Sequence, residues 1–161
     1  MIFVTVGTDL PFDRMMKVID GWARENGRTD VFAQIGEGAW EPEFIKFAHF
    51  LQPPEFSKHF DKATLIISHA GMGTILSALL FGKPILVMPK KSGLGEHRSD
   101  HQFATARRMQ ELGNVNVAFD EHELRARLDR LDELLQPKRI GPTASEGLVT
   151  GLREFIFGGK P

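Results

Sequence analysis

The chain has no cysteine, which excludes disulfides and thiolate metal sites. It has no long basic run, and its net charge is −1 over 161 residues, whereas a nucleic-acid partner asks for a cationic face. No apolar run approaches the roughly 20 residues that a membrane span needs. The N-terminus opens directly on Ile2-Phe3-Val4-Thr5-Val6, with no basic region or small-residue cleavage site ahead of it. It is therefore expected to be a strand of a cytoplasmic protein and not a signal peptide. There is no internal repeat and no low-complexity stretch. What is present is ordinary: 42% apolar and 25% charged residues, enough for one globular domain over residues 1–161 with a real core.

Along the chain, strand patterns alternate with helical ones. Ile2 to Val6, Val31 to Ile35, Ala63 to Ile67, Pro84 to Met88 and Val115 to Ala118 read as strands, with a weaker one from Phe47 to Leu51. Phe12, Met15, Met16, Ile19 and Trp22 share a helical face closed by Gly27. Pro53 to Phe60 and Ile75 to Phe81 read as further helices, the latter stopped by Gly82 and Pro84. A helix capped by Ser99 has an apolar face of Phe103, Ala106, Met109 and Leu112, and one behind an Asp120–Glu123 capping box carries Leu124, Leu128, Leu131 and Leu135. A linker from Gln136 to Thr143 leads to a last helix over 144–158, striped with Leu148, Leu152, Phe155 and Ile156. The alternation predicts an α/β fold: a Rossmann-like, open, mainly parallel sheet of about six strands with helices on both faces. Ligands of such sheets sit at the carboxyl ends of the strands, and every special turn here falls at one.

The turn Ser68-His69-Ala70-Gly71-Met72-Gly73-Thr74 stands out. It joins a buried strand to a helix, so its backbone N–H groups and the positive end of the helix dipole favour a phosphate. Gly71 and Gly73 allow close approach. It is neither the G-x-G-x-x-G fingerprint nor a Gly-Lys-Ser/Thr phosphate loop. A plain packing turn accounts for the same glycines, and His69 either donates to a phosphate or sugar oxygen or caps local backbone. Gly7-Thr8 is a second anion-friendly turn. In Gly95 to Gln102, Asp100 and Gln102 suit sugar hydroxyls, although Ser99-x-x-Gln102 is itself a capping box. His97 and His101, with Glu96 and Asp100 adjacent, leave a metal hydrolase open, but the order is not His-Glu-x-x-His.

Phe3-Val4-Thr5-Val6-Gly7-Thr8, Gln34-Ile35-Gly36, Ile67 to Thr74, Gly82-Lys83-Pro84-Ile85 and Asp100-His101-Gln102 occur in that order. Together they resemble the C-terminal domain of glycosyltransferase family 28, half of a GT-B fold. The likeness is to the small catalytic subunits of split two-chain UDP-sugar transferases, of the exopolysaccharide or dolichol-linked oligosaccharide type. The resemblance implies a UDP-sugar as substrate and no required cofactor or metal. It places the donor diphosphate on Gly7, Thr8, His69, Ala70, Gly71, Met72, Gly73 and Thr74, with His69 the one catalytic candidate in this chain. Gln34, Gly36 and Ser77 would frame the nucleotide, and Glu96, Asp100, His101 and Gln102 would meet the transferred sugar. Ser77 stands where many relatives carry a ribose-binding glutamate, and a serine cannot accept from two hydroxyls as a carboxylate does.

A GT-B enzyme reacts in the cleft between two domains. The expected partner is therefore a membrane-anchored acceptor-domain subunit carrying the base and presenting a lipid-linked sugar acceptor, with this chain docked through the 144–158 helix at the inner face of the membrane. In isolation the same apolar patch is expected to pair with itself as a homodimer. The expected function is transfer of a sugar from a UDP-sugar to that acceptor, in bacterial exopolysaccharide biosynthesis. The alternative is a non-catalytic sugar-nucleotide-binding or regulatory module, which the serine at position 77 favours.

Overall fold

The computed structural model describes residues 1–113, 115–134 and 136. Six strands form one sheet: β1 (Ile2–Thr5), β2 (Val31–Gln34), β3 (Lys46–Ala48), β4 (Leu65–His69), β5 (Ile85–Met88) and β6 (Asn116–Val117). Their order is β3-β2-β1-β4-β5-β6, and every neighbouring pair is parallel. The helices are α1 (Asp13–Glu25), α2 (Pro53–Lys62), α3 (Met72–Leu80), α4 (His101–Glu111) and α5 (Glu121–Leu128). The chain starts at the centre, builds outward to β3, then returns beside β1 to build the other half. That reversal leaves a crevice between the carboxyl ends of β1 and β4, where the adjacent connections diverge.

Strand alternation divides the interior in two. Val4, Ile67 and Leu86 face α1 and α5, meeting Met15, Met16, Ile19, Leu124 and Leu128. Phe3, Ile66, Ile85 and Val87 face the other way, meeting Phe60, Ile75, Ala78 and Ala106. Both faces being covered explains why these strands read as continuous apolar runs.

Several boundaries differ from the sequence reading. The third strand lies at Lys46–Ala48, earlier than Phe47 to Leu51. α3 begins at Met72, three residues before Ile75, because Gly71 in an extended conformation supplies the carbonyl that Ile75 N–H meets. Periodicity could not see that first turn, since it places no apolar side chain in the core. α4 is preceded by Asp100 and not Ser99, and the Ser99–Gln102 capping box does not form: Gln102 Oε1 instead accepts from Lys90 N–H at 3.1 Å. Leu112, assigned to the buried face, is half exposed. The second capping box forms in part: Asp120 Oδ1 accepts from Glu123 N–H at 2.8 Å, while Glu123 Oε2 accepts from the N–H of Phe119, the residue before the cap, at 2.9 Å. Its helix ends at Leu128, and Leu131 begins a short 3-10 turn. The linker beyond Gln136 and the 144–158 helix lie outside the described residues.

The 36–45 loop folds over a buried carboxylate. Asp20 of α1 is 2% exposed, and its oxygens accept from the N–H groups of Glu43, Phe44 and Ile45 at 3.3, 2.9 and 2.9 Å. Substituting Asp20→Ala strands these donors, at about 1–3 kcal/mol for each one left without a partner. Urea unfolding of that variant is expected to show a loss of about 3 kcal/mol, as a lower midpoint at unchanged slope.

Candidate active site at the carboxyl edge of the sheet

A cleft of about 510 Å³ opens at the reversal point. Its polar side comprises Thr5, Gly7, Thr8, Gln34, His69, Gly71, Gly73, Thr74 and Ser77. Its apolar side is Phe50, Leu51, Pro53, Phe56 and Phe60, from the β3–α2 connection and α2. The volume is that of a small-molecule site.

Two turns meet across the ring of His69. A Cβ at Gly7 would lie 2.7 Å from His69 Cε1, and one at Gly71 would lie 2.2 Å from its Nε2. Gly7 also has φ +84°, in the left-handed region. Both positions are therefore closed to any side chain while the ring stays in place. His69 Nδ1 is enclosed without a well-aligned hydrogen-bond partner among the described residues. Burial pushes its pKa down to about 4, Lys90 pushes the same way and the Thr5 backbone pulls weakly against them. The ring is thus neutral at physiological pH: it can donate or accept a proton in a hydrogen bond but brings no charge to a phosphate. The helix end beside it is bare, because Gly71 precedes α3 with no side-chain cap, and the first N–H groups of a helix have no intrahelical acceptor.

Gln34 staples the rim. Its Nε2 donates to Gly7 O at 3.3 Å and its Oε1 accepts from Leu51 N–H at 3.1 Å, so it joins the β1–α1 turn to the apolar wall. Thr5 Oγ1 accepts from Gly7 N–H at 3.3 Å. Ser77 Oγ donates to Gly73 O at 2.9 Å, one turn back on its own helix, which leaves its lone pairs toward the cleft. Gly36 is adjacent but does not line the cleft. It has φ +83°, and its carbonyl meets His49 Nδ1 at 3.1 Å. Ala70 is buried and Met72 is exposed on α3.

The Lys90–Gln102 segment lies beyond β5, on the far side of His69, and none of Glu96, Asp100, His101 or Gln102 lines the cleft. Glu96 is 8% exposed; Arg14 Nε donates to its Oε1 at 2.8 Å and Arg14 Nη2 to its Oε2 at 2.9 Å. Asp100 Oδ1 accepts from Ser92 N–H at 2.8 Å. Ser99 Oγ lies 2.8 Å from His101 Nδ1, and the His97 and His101 rings meet edge to face at 4.7 Å. Among the described residues no group of three or more His, Cys, Asp or Glu could hold a metal ion.

Two residues here were not singled out in the sequence. Lys90 is 1% exposed; its Nζ donates to Leu10 O and sits 5.7 Å from the centre of the Phe12 ring. Burial brings its pKa down to about 8 against the pull of Asp9 and Glu96. Nothing in the sequence marks it. Arg14 did leave a trace: a cation in the first turn of a helix opposes the dipole and so calls for an anion nearby.

The sequence pattern of the glycosyltransferase family 28 C-terminal domain matches residues 1–145. The UDP-N-acetylglucosamine transferase subunit ALG13 of Homo sapiens is 28% identical over 124 residues, 71% of this chain and 10% of that protein. The chain thus spans about a tenth of the length of that relative. An NMR solution structure of ALG13 superposes with a TM-score of 0.60 at 22% identity, covering 94% of this chain and 93% of that one. The crystal structure of Acinetobacter baumannii MurG does so with a TM-score of 0.60 at 18% identity, covering 81% of this chain and 41% of that one. At these identities the structural likeness is one of fold.

A neutral, enclosed His69 makes stability depend on pH with a definite sign. The unfolded chain takes up a proton below its ordinary value near 6.5, while the folded one resists until about 4. The folded state therefore loses stability as pH falls from about 6.5 to 4, by at most about 3 kcal/mol from this residue. Urea midpoints measured across that range are expected to fall less steeply in His69→Gln than in the parent.

Proposed function

The chain belongs to the glycosyltransferase family 28 C-terminal domain family, and on that premise we propose that it is the donor-binding catalytic subunit of a two-component glycosyltransferase. It moves a sugar from a UDP-sugar to a lipid-linked acceptor, in bacterial exopolysaccharide biosynthesis. The observation that carries the reading is the convergence, in one cleft, of the Gly7-Thr8 turn, Gln34 and the uncapped start of α3 beside His69.

In this reading the diphosphate lies against Gly7, Thr8 and the His69–Thr74 turn, where backbone N–H groups and the α3 dipole receive its charge. His69, neutral and fixed, donates one hydrogen bond to a phosphate oxygen. Gln34 and Ser77 shape the nucleotide end, and the Phe50, Leu51 and Phe56 wall suits the flat faces of a base. Asp100 and His101 approach the sugar from beyond β5, while Gln102 is buried with its Oε1 on Lys90 N–H. An acceptor hydroxyl attacks the anomeric carbon as the bond to the diphosphate oxygen breaks. Its proton passes to a base on the partner, and UDP leaves carrying the bonding electrons. Donors already aimed at the growing negative charge lower that barrier without reorganising.

The acceptor half would be a membrane-anchored partner, and the chain would work through it at the inner face of the membrane. The human relative is named a transferase subunit, which supports this reading; among the described residues no helix is long and apolar enough to cross a membrane. The 144–158 helix is the proposed docking element. A second reading, a non-catalytic sugar-nucleotide module, is favoured by Ser77, whose hydroxyl cannot chelate a ribose diol as a carboxylate would. Transfer with the partner co-expressed supports the enzyme; binding without turnover supports the module.

Calorimetric titration with UDP is expected to show one site per chain. Gly71→Ala, which drives a Cβ into the His69 ring, is expected to weaken it by about 2 kcal/mol, roughly thirtyfold, with the far-ultraviolet spectrum unchanged. Undiminished UDP binding in that variant would remove the diphosphate from this turn.

A further inference from the structure

Three consecutive backbone N–H groups at the start of the β5–α4 segment are each taken by a side chain from its returning limb. Lys90 N–H donates to Gln102 Oε1 at 3.1 Å, Lys91 N–H to Glu96 Oε2 at 2.8 Å and Ser92 N–H to Asp100 Oδ1 at 2.8 Å. The segment is thus folded on the very side chains that the sequence offered to the sugar. Of the three staples, the one through Glu96 continues into another part of the fold. Arg14 grips both Glu96 oxygens, donates through Nη2 to Pro89 O at 3.1 Å and through Nη1 to Glu121 Oε2 at 3.1 Å. Its guanidinium lies over the Phe12 ring at 5.0 Å.

This is not a surface ion pair. The Arg14 and Glu96 side chains are each 10% exposed, and cutting one partner leaves a buried charge unmatched. Burial disfavours the Arg14 charge, but the hydrogen bonds and charges of Glu96 and Glu121 more than offset it. One side chain therefore ties α1, the end of β5, the following segment and α5 together at one point. With every donor face occupied, Arg14 has little left for a ligand, and neither it nor Glu96 lines the cleft that holds the glycine turns.

We propose that Arg14 and Glu96 form a strut that positions the Lys90–Gln102 segment against the donor's sugar, and that neither touches the substrate. Glu96 sets Lys91, Asp100 holds Ser92, and so the strut fixes where the second Asp100 oxygen and the exposed His101 present themselves. Sheet register links this segment to the glycine turn: Met88 pairs with His69 across β5 and β4, so the chain leaves β5 at Pro89 and Lys90 beside that turn. The inference rests on the donor-binding reading above and divides its labour: the glycine turns hold the diphosphate, and the strut tunes recognition of the sugar alone.

The test uses the full chain, titrated with UDP and then with UDP-N-acetylglucosamine, UDP-glucose and UDP-glucuronate. It compares the parent with Arg14→Gln, Glu96→Gln and Arg14→Lys. The expected result is a UDP affinity within about twofold of the parent, and a ratio of best UDP-sugar to UDP affinity that falls about tenfold, the scale of one lost hydrogen bond to a charged group. Arg14→Lys, which keeps the charge but not the fork, should fall between. Native-state hydrogen exchange should quicken at the Lys91 and Ser92 amides and stay unchanged in β4. Glu121→Gln alters only the exposed end of the strut, so it folds even if the Arg14 variants do not, and it should move the ratio about threefold the same way. Equal loss of UDP and UDP-sugar, an unmoved ratio, or unmoved Lys91 and Ser92 exchange would overturn the strut while leaving donor binding intact. A parent that binds no UDP would overturn the donor reading, and the strut with it.

Discussion

The close approach of two turns to one imidazole governs the carboxyl edge of this sheet. Gly7 follows β1, Gly71 precedes α3, and the His69 ring occupies the space that a Cβ on either would need. Sheet register brings this about: Thr5 pairs with Ser68 across β1 and β4, so the chain leaves β1 through Val6 and Gly7 beside His69, the last residue of β4. Because the ring fills the gap, the backbone of both turns is fixed before any ligand arrives. A preformed array of donors is what an anion site needs, since reorganising dipoles during a reaction would consume the stabilisation they offer.

Around that point, the loops are held by single buried polar side chains that satisfy backbone groups. Asp20 takes three N–H groups of the 36–45 loop, Gln34 bridges Gly7 and Leu51, and Lys90 reaches Leu10 while its own amide meets Gln102. Loops seldom bury much apolar surface, so their order has to come from such bonds. Each is worth only about 1 kcal/mol net when made and considerably more when one partner is removed. The connections that surround the cleft are therefore ordered by few contacts, each of which is costly to lose.

The sheet was legible in the sequence because its strands are buried on both faces and separated by strong punctuation at Gly27, Gly36, Gly82 and Gly113. Those four glycines have positive φ, which is why glycine stands at each. The first turn of α3 was not legible, since Met72 and Gly73 are exposed, Thr74 is only half-buried, and together they leave no apolar period to read. The cleft's polar side was visible as a set of turns at strand ends. Its apolar side was not, because Phe50 and Phe56 look like ordinary core residues until β3 ends at Ala48 and the chain crosses over the sheet edge. The polar side chains of Gly95 to Gln102 were read by chemical type, and type cannot say whether a carboxylate faces a ligand or the backbone of its own loop. Long-range partners settle that, and Arg14 lies 82 residues from Glu96 along the chain.

Lys90 and Arg14 bring two cations under the same segment, yet their surroundings give them different work. Lys90 has a point charge, one carbonyl acceptor and an aromatic face, and burial brings it down to about 8. Arg14 has a planar fork matched to both oxygens of Glu96, and its charge is held. Lys90 disfavours protonation of His69, so the cation beneath the turn helps keep the imidazole above it neutral. A neutral ring between two glycines keeps its shape and its hydrogen-bonding role across the physiological range. The positive potential at this edge of the sheet then comes from the buried ammonium and the uncapped start of α3. Arg14, fully engaged with carboxylates, adds little to that potential and instead determines where the neighbouring segment can stand.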